Sequence, residues 1–247
     1  MVLLSYIGGK ARVSKKIIEH IPPGVKLIVS PFFGAGSVEF LGAYQGYIVK
    51  GFDIFPELVN FWQQLKKNPG RFVQEVEQLL PMTKSRYMHF RTQLSPQLLT
   101  IKQAVMFFVV NKCSYNGIMS GSYSNVLGKL FTNTPKRLRK FKYPAHLSVQ
   151  QQDFVKTLED FPNDFLFLDP PYYEVMKTYG LKAEYSVINH ELLARLLCKR
   201  KAPWLLVYND HPWVRKRYSK CYMSPLVSRY NSNQTGRQLL ITNYPQR

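Results

Sequence analysis

Acidic residues are scarce in this chain, and one long block lacks them altogether. The 247 residues include 34 Lys and Arg against 15 Asp and Glu, which gives a formal net charge of +19. Residues 78–152 contain no acid but hold eleven basic side chains. Such a block favours binding to a polyanion through phosphate contacts with release of counterions. The alternative is a merely solvated basic face, which is less favourable because its self-repulsion opposes folding.

Cysteine and long apolar runs are also scarce. The three cysteines are odd in number and widely separated, which argues against a disulfide framework, and no Cys/His spacing indicates a zinc site. The longest apolar run, residues 104–110, is too short to span a bilayer. The first residues do not have the layout of a signal peptide. We therefore expect a soluble, intracellular protein that binds no metal and no membrane.

The two ends of the chain alternate between strand and helix patterns. Residues 27–30 predict a strand, residues 37–45 a helix and residues 47–53 a second strand, which together form a βαβ unit. Later segments continue this pattern, with strands at 164–168, 204–208, 225–230 and 237–243 and a helix at 189–200. Since βαβ units imply a parallel sheet with right-handed crossovers, we predict a three-layer α/β sandwich.

A different pattern fills the middle of the chain. The predicted helices there are residues 56–67, 71–80, 84–94 and 96–112. Residues 115–144 are rich in Gly, Ser, Asn and basic side chains, which predicts loops or a hairpin. We therefore predict a mainly helical lobe, residues 55–145, inserted in an α/β domain made of residues 1–54 and 146–247.

A glycine-rich turn follows the first predicted strand. Its sequence is Pro31-Phe32-Phe33-Gly34-Ala35-Gly36-Ser37. The glycines let a ligand approach the backbone, and the following helix N-terminus attracts negative charge. Asp53 ends the next strand, where a carboxylate can accept hydrogen bonds from both hydroxyls of a ribose. A glycine turn alone is common in βα loops, but its pairing with Asp53 favours a cofactor that contains adenosine.

A second motif, Asp169-Pro170-Pro171-Tyr172, directly follows a predicted buried strand. It could be only a rigid turn. However, the prolines fix the backbone and remove two donors, so that carbonyl oxygens can point into a cleft. Asp169 and the Pro170 carbonyl could then accept both hydrogens of an amino group on a base, which frees the nitrogen lone pair for attack on a methyl group. Tyr172 would offer a stacking face for that base.

These motifs resemble, in the same order, those of the Dam-type (alpha-group) adenine-N6 DNA methyltransferases. Tyr6-Ile7-Gly8-Gly9-Lys10 is similar to the family's N-terminal motif, and Asp169 to Tyr172 matches its catalytic tetrapeptide. Asn111-Lys112-Cys113-Ser114-Tyr115-Asn116-Gly117 is similar to its Asn-Arg-x-x-x-Asn-Gly segment. Residues 185–193 and 206–210 resemble its later motifs. Two positions depart from the family pattern: Ser30 stands where Glu is usual, and Tyr6 where Trp is common.

The resemblance implies a class I methyltransferase fold and S-adenosylmethionine as methyl donor. It implies cofactor contacts by Tyr6, Lys10, the glycine turn, Asp53, Ile54, Asp153, Phe154 and Asp169. Asp153 could equally be a helix N-cap, and one carboxylate can serve both roles. Catalysis would fall to Asp169, Pro170 and Tyr172.

The resemblance also implies double-stranded DNA as the substrate, with residues 55–145 as the target-recognition lobe. The implied DNA-binding residues are Lys10, Lys112, Ser114, Tyr115, Asn116, Lys129, Lys136, Arg137, Arg139 and Lys140. Phosphate contacts set register, whereas base readout is expected from residues 114–133. The target adenine must be flipped out of the duplex to be reached.

The resemblance further implies a cytoplasmic monomer of prokaryotic or viral origin. A restriction endonuclease could act on the same site, but no stable protein partner is implied. Two alternative functions stay open. One is methylation of RNA or of cytosine N4, which the motif order and the Tyr115-Asn116-Gly117 segment disfavour. The other is an inactive, basic DNA-binding protein on the same scaffold, which the intact Asp53, Asp169 and glycine turn disfavour.

Overall fold

The computed structural model describes residues 3–5, 9–174, 188–229 and 235–246. Their centre is one seven-stranded sheet with the strand order β3-β2-β1-β4-β5-β7-β6. The strands are β1 (Leu27–Ser30), β2 (Ile48–Asp53), β3 (Leu147–Gln151), β4 (Phe165–Leu168), β5 (Trp204–Asn209), β6 (Tyr222–Arg229) and β7 (Thr235–Thr242). β1 to β5 are parallel to one another, whereas β7 runs antiparallel to both β5 and β6.

Helices flank both faces of this sheet. They are α1 (Ser14–Glu19), α2 (Ser37–Tyr44), α3 (Pro56–Lys67), α4 (Pro69–Glu77), α5 (Lys84–Gln93), α6 (Ile101–Cys113), α7 (Asn125–Leu130), α8 (Thr134–Lys140), α9 (Phe154–Asp160), α10 (His190–Lys199) and α11 (Pro212–Arg217). None of the helices in the described ranges is both long and apolar enough for a transmembrane span.

Two apolar clusters, one on each face, show the three-layer arrangement. In β4, Phe165 and Phe167 belong to one cluster, and Leu166 and Leu168 belong to the other. Side chains alternate between the faces of a strand, so each face of β4 is covered. The first cluster contains buried residues of α1, α2, α3 and α6, and the second contains those of α9, α10 and α11. The predicted α/β sandwich is confirmed.

The inserted segment is joined to the sheet through α3. This helix begins at Pro56, which occupies the first helical turn as predicted. Phe61 and Trp62 are almost fully buried in the same cluster as Phe33 and Phe40 of the sheet domain. The core of the sheet domain therefore continues without a break into the helices that follow.

Two predictions for the inserted segment were wrong. The helix predicted from residue 96 begins at Ile101, because the Thr100 side chain caps it by accepting a hydrogen bond from the Gln103 amide. Residues 115–144 form the short helices α7 and α8 and two single-turn 3-10 helices rather than loops or a hairpin. An isolated bridge between Ser114 and Tyr123 is the hairpin-like contact that the segment does make. Ser124 caps α7, so a serine that suggested a loop instead begins a helix.

Candidate active site

A cavity of about 350 Å³ opens at the carboxyl ends of the parallel strands. Its lining combines the loops after β1, β2, β3 and β4. In the strand order, β1 and β4 are neighbours, and the connections from them run in opposite directions across the sheet. Ligands of open α/β sheets bind at such a switch point. The predicted cofactor and catalytic residues at positions 10, 31, 33–37, 53, 54, 153, 154, 169, 170 and 172 all line this cavity.

The glycine turn follows a shape that only small residues permit. Gly34 and Gly36 have positive φ angles of 51° and 66°, which L side chains rarely adopt. A Cβ atom on Gly36 would lie 2.7 Å from the Phe33 ring and 2.8 Å from the Phe40 ring. The Trp62 Nε1 atom donates a hydrogen bond to the Gly34 carbonyl at 3.0 Å. Contacts with Phe40 and Trp62 therefore fix the turn on one side, and its other side faces the cavity.

Asp53 connects the glycine turn to the end of β2. Its Oδ2 atom accepts a hydrogen bond from the Gly34 amide at 2.9 Å, and its Oδ1 atom accepts one from the Phe55 amide at 3.1 Å. Burial raises the pKa of Asp53 to about 6, although both amide hydrogen bonds oppose this shift. Each carboxylate oxygen has a second lone pair, so Asp53 can still accept hydrogen bonds from a ligand's hydroxyl groups.

Asp153 and Phe154, which follow β3, form another part of the cavity wall. The Asp153 side chain caps α9 by accepting a hydrogen bond from the Val155 amide at 2.8 Å. It is exposed and also lines the cavity, so one of its oxygens remains available to a ligand. The Phe154 ring stacks on Phe32, with 5.6 Å between ring centroids. Together with Ile54, these rings offer an apolar surface on which a flat aromatic group can bind.

Asp169 and Lys10 form an ion pair at the end of β4. The Lys10 Nζ atom lies 2.8 Å from Asp169 Oδ1, and the two side chains are 4% and 22% exposed. Burial raises the pKa of Asp169, and the Lys10 ammonium partly offsets this shift. Lys10 also lies 5.0 Å from the centre of the Tyr172 ring. One basic side chain thus contacts both the acid and the aromatic residue of the proline motif.

The proline motif is held in place on its far side by β5. The Tyr172 ring stacks on Tyr208, with 6.0 Å between centroids. Asn209 forms two backbone hydrogen bonds with Tyr173, accepting from its amide at 3.2 Å and donating to its carbonyl at 3.0 Å. Tyr173 itself stacks on Trp213 with a centroid distance of 4.4 Å. These contacts fix the direction in which Asp169 and Tyr172 point, which the amino-group chemistry requires.

The predicted segment 111–117 contacts Ser5 in the N-terminal stretch of the chain, and we call this contact the clasp. Asn111 accepts a hydrogen bond from the Ser5 amide at 2.9 Å and donates to the Ser5 carbonyl at 2.8 Å. Its Nδ2 atom also donates to the Gly117 carbonyl at 3.3 Å. Gly117 has a φ of 74°, and a Cβ there would lie 2.1 Å from the Ser5 carbonyl oxygen. This segment therefore positions the residues that lead to Lys10.

The predicted DNA-binding residues occupy different environments. Lys129, Lys136, Arg137, Arg139 and Lys140 are exposed on α7 and α8, and Tyr115 is 69% exposed. Lys112 donates to the Ser5 hydroxyl at 3.3 Å, and burial together with Arg137 lowers its pKa. Ser114 is fully buried, and its hydroxyl donates to the Asn111 carbonyl, so it is not available to a base in this conformation. Arg139 pairs with Glu77 of α4.

Some predicted residues lie outside the described part of the chain. These are Tyr6, Ile7 and Gly8 of the N-terminal motif, residues 185–187 of a later motif and the side chain of Asn116.

Four residues of the site were not singled out from the sequence for it. Glu39 of α2 lines the cavity, Trp62 fixes the glycine turn, and Tyr208 and Asn209 support the proline motif. Tyr208 and Asn209 lie in the resembling stretch 206–210, which is the signal that could have found them. Glu39 and Trp62 gave no such signal, because an acid or an aromatic residue in a helix has many ordinary roles.

The fold and the site together define a methyltransferase of the class I type. The chain belongs to the D12 class N6 adenine-specific DNA methyltransferase family, whose model matches residues 6–234. It is 25% identical to the DNA adenine methylase of Escherichia coli K12 over 256 residues, which cover 94% of this chain and 89% of that protein. The Haemophilus influenzae DNA adenine methylase is 24% identical over 239 residues, or 87% and 82% of the two chains. A Vibrio cholerae homologue of the same name is 30% identical over 118 residues, 47% and 42% of the two chains.

Proposed function

We propose that this adenine-N6 DNA methyltransferase takes its methyl group from S-adenosylmethionine bound in the cavity between the glycine turn and Asp169. The lining of the cavity fits that cofactor. Asp53 can accept hydrogen bonds from ribose hydroxyls, and Phe154 and Ile54 offer a flat apolar surface to adenine. The buried Ser37 hydroxyl, which has no hydrogen-bond partner among the described residues, lies in the same lining and can bind a polar group of the ligand.

Asp169, Pro170 and Tyr172 are proposed to act on the amino group of the target base. When bound, the cofactor supplies an electrophilic methyl group. The Asp169 carboxylate and the Pro170 carbonyl accept hydrogen bonds from the two N–H groups, which localises the lone pair on nitrogen. Tyr172 stacks on the base, and Tyr208 holds Tyr172 in place. The amino nitrogen becomes acidic as it is methylated, so orientation and electrostatics supply most of the rate enhancement.

We propose a second role for Lys10 at the same place. Its ammonium favours the ionised form of Asp169, because it opposes the effect of burial on the Asp169 pKa. An ionised carboxylate accepts hydrogen bonds about twice as strongly as a neutral acceptor does. Since Lys10 lies against both Asp169 and Tyr172, it contacts the position that a flipped base would enter.

Residues 55–145 are proposed to bind the DNA, with α8 gripping the phosphate backbone. The exposed Lys136 and Lys140 carry positive charge on the outer face of α8, whereas Leu138 is buried. Arg137 is close enough to Lys112 to lower its pKa, and Lys112 contacts Ser5 of the N-terminal stretch. The basic face is therefore continuous with the segment that carries Lys10, and DNA bound there can deliver a flipped adenine to Asp169.

The observation that carries this proposal is that the acid of the proline motif and the glycine turn line one cavity. Its test is the isosteric substitution Asp169→Asn. We expect the rate of methyl transfer to fall by at least about 100-fold, as when one preorganised partner of a reacting group is lost. Binding of S-adenosylhomocysteine should fall by a much smaller factor, because Asp169 is only one of the residues that line the cavity. Glu159→Gln, which removes one charge from an exposed position on α9, is the matched control and should keep full activity.

A further inference from the structure

Glu39 is a buried carboxylate at the methyl-donor cavity. It lies in the first turn of α2, is 2% exposed and lines the same cavity as Asp53 and Asp169. The Ser30 hydroxyl, at the end of β1, donates a hydrogen bond to its Oε1 atom at 2.6 Å. Burial raises the pKa of Glu39 to about 8, and the nearby Asp169 carboxylate adds to the shift. Such a position is costly for an acid unless a cation or a set of hydrogen-bond donors compensates it.

The described part of the chain supplies no cation to Glu39. Among these residues, no Lys, Arg or His forms an ion pair with it, and Lys10, whose ammonium lies at the same cavity, pairs with Asp169. The hydrogen bond from Ser30 uses one oxygen of the carboxylate and fixes its orientation. The backbone amides of Val38 and Glu39 also donate to this carboxylate, but its two oxygens have four lone pairs, so it can still accept from a ligand. A cationic group with N–H donors is the partner that such an oxygen binds most strongly.

Ser30 is the neighbouring residue that fixes the position of the Glu39 side chain. Ser30 is the last residue of β1 and is fully buried. Its small side chain leaves room for the Glu39 side chain, which comes from the adjacent helix, and donates a hydrogen bond to it.

We propose that Glu39 binds the ammonium group at the methionine end of S-adenosylmethionine and that Ser30 orients it for this contact. The inference rests on the proposed function, because it assumes that this cofactor occupies the cavity. The ammonium group is a better partner than the sulfonium group, which carries no hydrogen-bond donor. Glu39 is therefore a specificity-determining residue, since it distinguishes ligands that carry the amino acid part from those that lack it.

Two ligands test this assignment. S-adenosylhomocysteine carries the ammonium group without a sulfonium, and 5′-methylthioadenosine carries the adenosine and sulfur but no amino acid part. Binding of both is measured by isothermal titration calorimetry to the wild-type protein and to Glu39→Gln. We expect the substitution to weaken binding of S-adenosylhomocysteine by about 10- to 100-fold, as for the loss of one charge-assisted hydrogen bond. Binding of 5′-methylthioadenosine should stay within about twofold of wild type.

The second ligand also serves as the folding control, because a misfolded variant would lose both affinities. Glu57→Gln is the matched substitution: Glu57 is also a buried acid in the first turn of a helix, but it does not line the cavity. It should leave the ratio of the two affinities unchanged. An equal loss for both ligands in a Glu39→Gln protein that keeps the wild-type circular dichroism spectrum and unfolding midpoint, or no loss for either ligand, would overturn the assignment. If the wild-type protein binds neither ligand, the proposed cofactor falls together with the inference.

Discussion

Burial raises the pKa of three of the acids that line the cavity, Glu39, Asp53 and Asp169. The pKa of Asp53 is raised to about 6 and that of Glu39 to about 8, and the pKa of Asp169 is raised despite its ion pair with Lys10. The cavity therefore brings together acids in a place that disfavours their charged forms. A cationic ligand relieves this cost, which is consistent with a sulfonium cofactor that also carries an ammonium group.

The raised pKa of Glu39 predicts that cofactor binding releases a proton. With a pKa of about 8, Glu39 is mainly protonated at pH 7 in the free protein, and it must ionise to pair with an ammonium. Calorimetric titration of S-adenosylhomocysteine in two buffers with different ionisation enthalpies should show release of up to about one proton at pH 7. The release should diminish as the pH rises above 8, because the free protein is then already ionised.

Other titratable groups of the cavity can also release protons, so this measurement needs a control. Asp53 and Asp169 line the same cavity, and changes in their protonation would also contribute. The difference between wild type and Glu39→Gln isolates the contribution of Glu39. Equal proton release by the two proteins would contradict the role given to this carboxylate.

At the scale of elements, the clasp between the end of α6 and Ser5 joins the inserted segment to the catalytic pocket. Asn111 and Ser5 are 106 positions apart in the chain, yet they form two hydrogen bonds. The 3-10 turn at Tyr115–Gly117 follows α6 directly, and Gly117 lies against the Ser5 backbone. A shift of this turn on contact with DNA would therefore be passed to the stretch before Lys10.

Gly117→Ala tests this coupling. The new Cβ atom would meet the Ser5 carbonyl oxygen, and the φ of 74° would itself be strained. We expect the free energy of unfolding to fall by about 1–3 kcal/mol and the rate of methyl transfer to fall as well. Chemical denaturation and a methylation assay measure the two effects.

Gly70→Ala is the matched control for this substitution. Gly70 lies in α4, needs no positive φ, and a Cβ atom added there would have no neighbouring atom within 4 Å. Alanine at this position should be neutral or stabilise the protein by up to about 1 kcal/mol. Full activity and stability in Gly117→Ala would show that the contact between Gly117 and Ser5 is not needed for methyl transfer.

Elements with strong local signals could be predicted from the sequence, and elements that depend on distant partners could not. The unit from β1 to β2 was predicted almost to the residue, because an apolar run, a glycine turn and a closing Asp53 follow one another. β3 was missed because it has five residues, lies at the sheet edge and alternates with polar side chains. The six-residue helices α1 and α11 are too short to show a helical period.

The candidate site divides in the same way. The cavity lining contains the predicted cofactor and catalytic residues that the structure describes, because they are contiguous motifs that follow strands. Glu39 escaped prediction because an acid in the first turn of a helix normally stabilises the helix dipole at the surface. The buried position of Glu39 depends on Ser30, which is nine residues earlier in the chain and donates a hydrogen bond to it. No local pattern of the sequence predicts this contact.

At the scale of the whole molecule, the net charge of +19 is the dominant property. The active-site cavity lies at the carboxyl ends of the strands, whereas the turn from α10 to β5 lies at their amino ends. Only basic residues that face the DNA should determine the salt dependence of binding. Position, rather than total charge, therefore decides the effect of each substitution.

The pair Lys136→Gln/Lys140→Gln tests the proposed role of α8. For each phosphate that is no longer neutralised, the slope of log K against log salt concentration should become shallower by about 0.9. The affinity for DNA should fall for all sequences alike, as measured by fluorescence anisotropy over a range of salt concentrations. Lys199→Gln/Lys201→Gln removes the same charge from the end of α10 and the turn to β5, at the amino ends of the strands. This pair should leave the salt dependence of DNA binding unchanged. Equal effects of the two pairs would remove α8 from the DNA interface.

Asp169 and its neighbours are proposed to direct a methyl group onto adenine N6 in DNA. The most direct measurement incubates duplex DNA with the protein and S-adenosylmethionine, digests the DNA to nucleosides and identifies the modified base by mass spectrometry. We expect N6-methyldeoxyadenosine with the wild-type protein and almost none with Asp169→Asn. N4-methyldeoxycytidine as the product, or undiminished methylation by Asp169→Asn, would contradict this proposal.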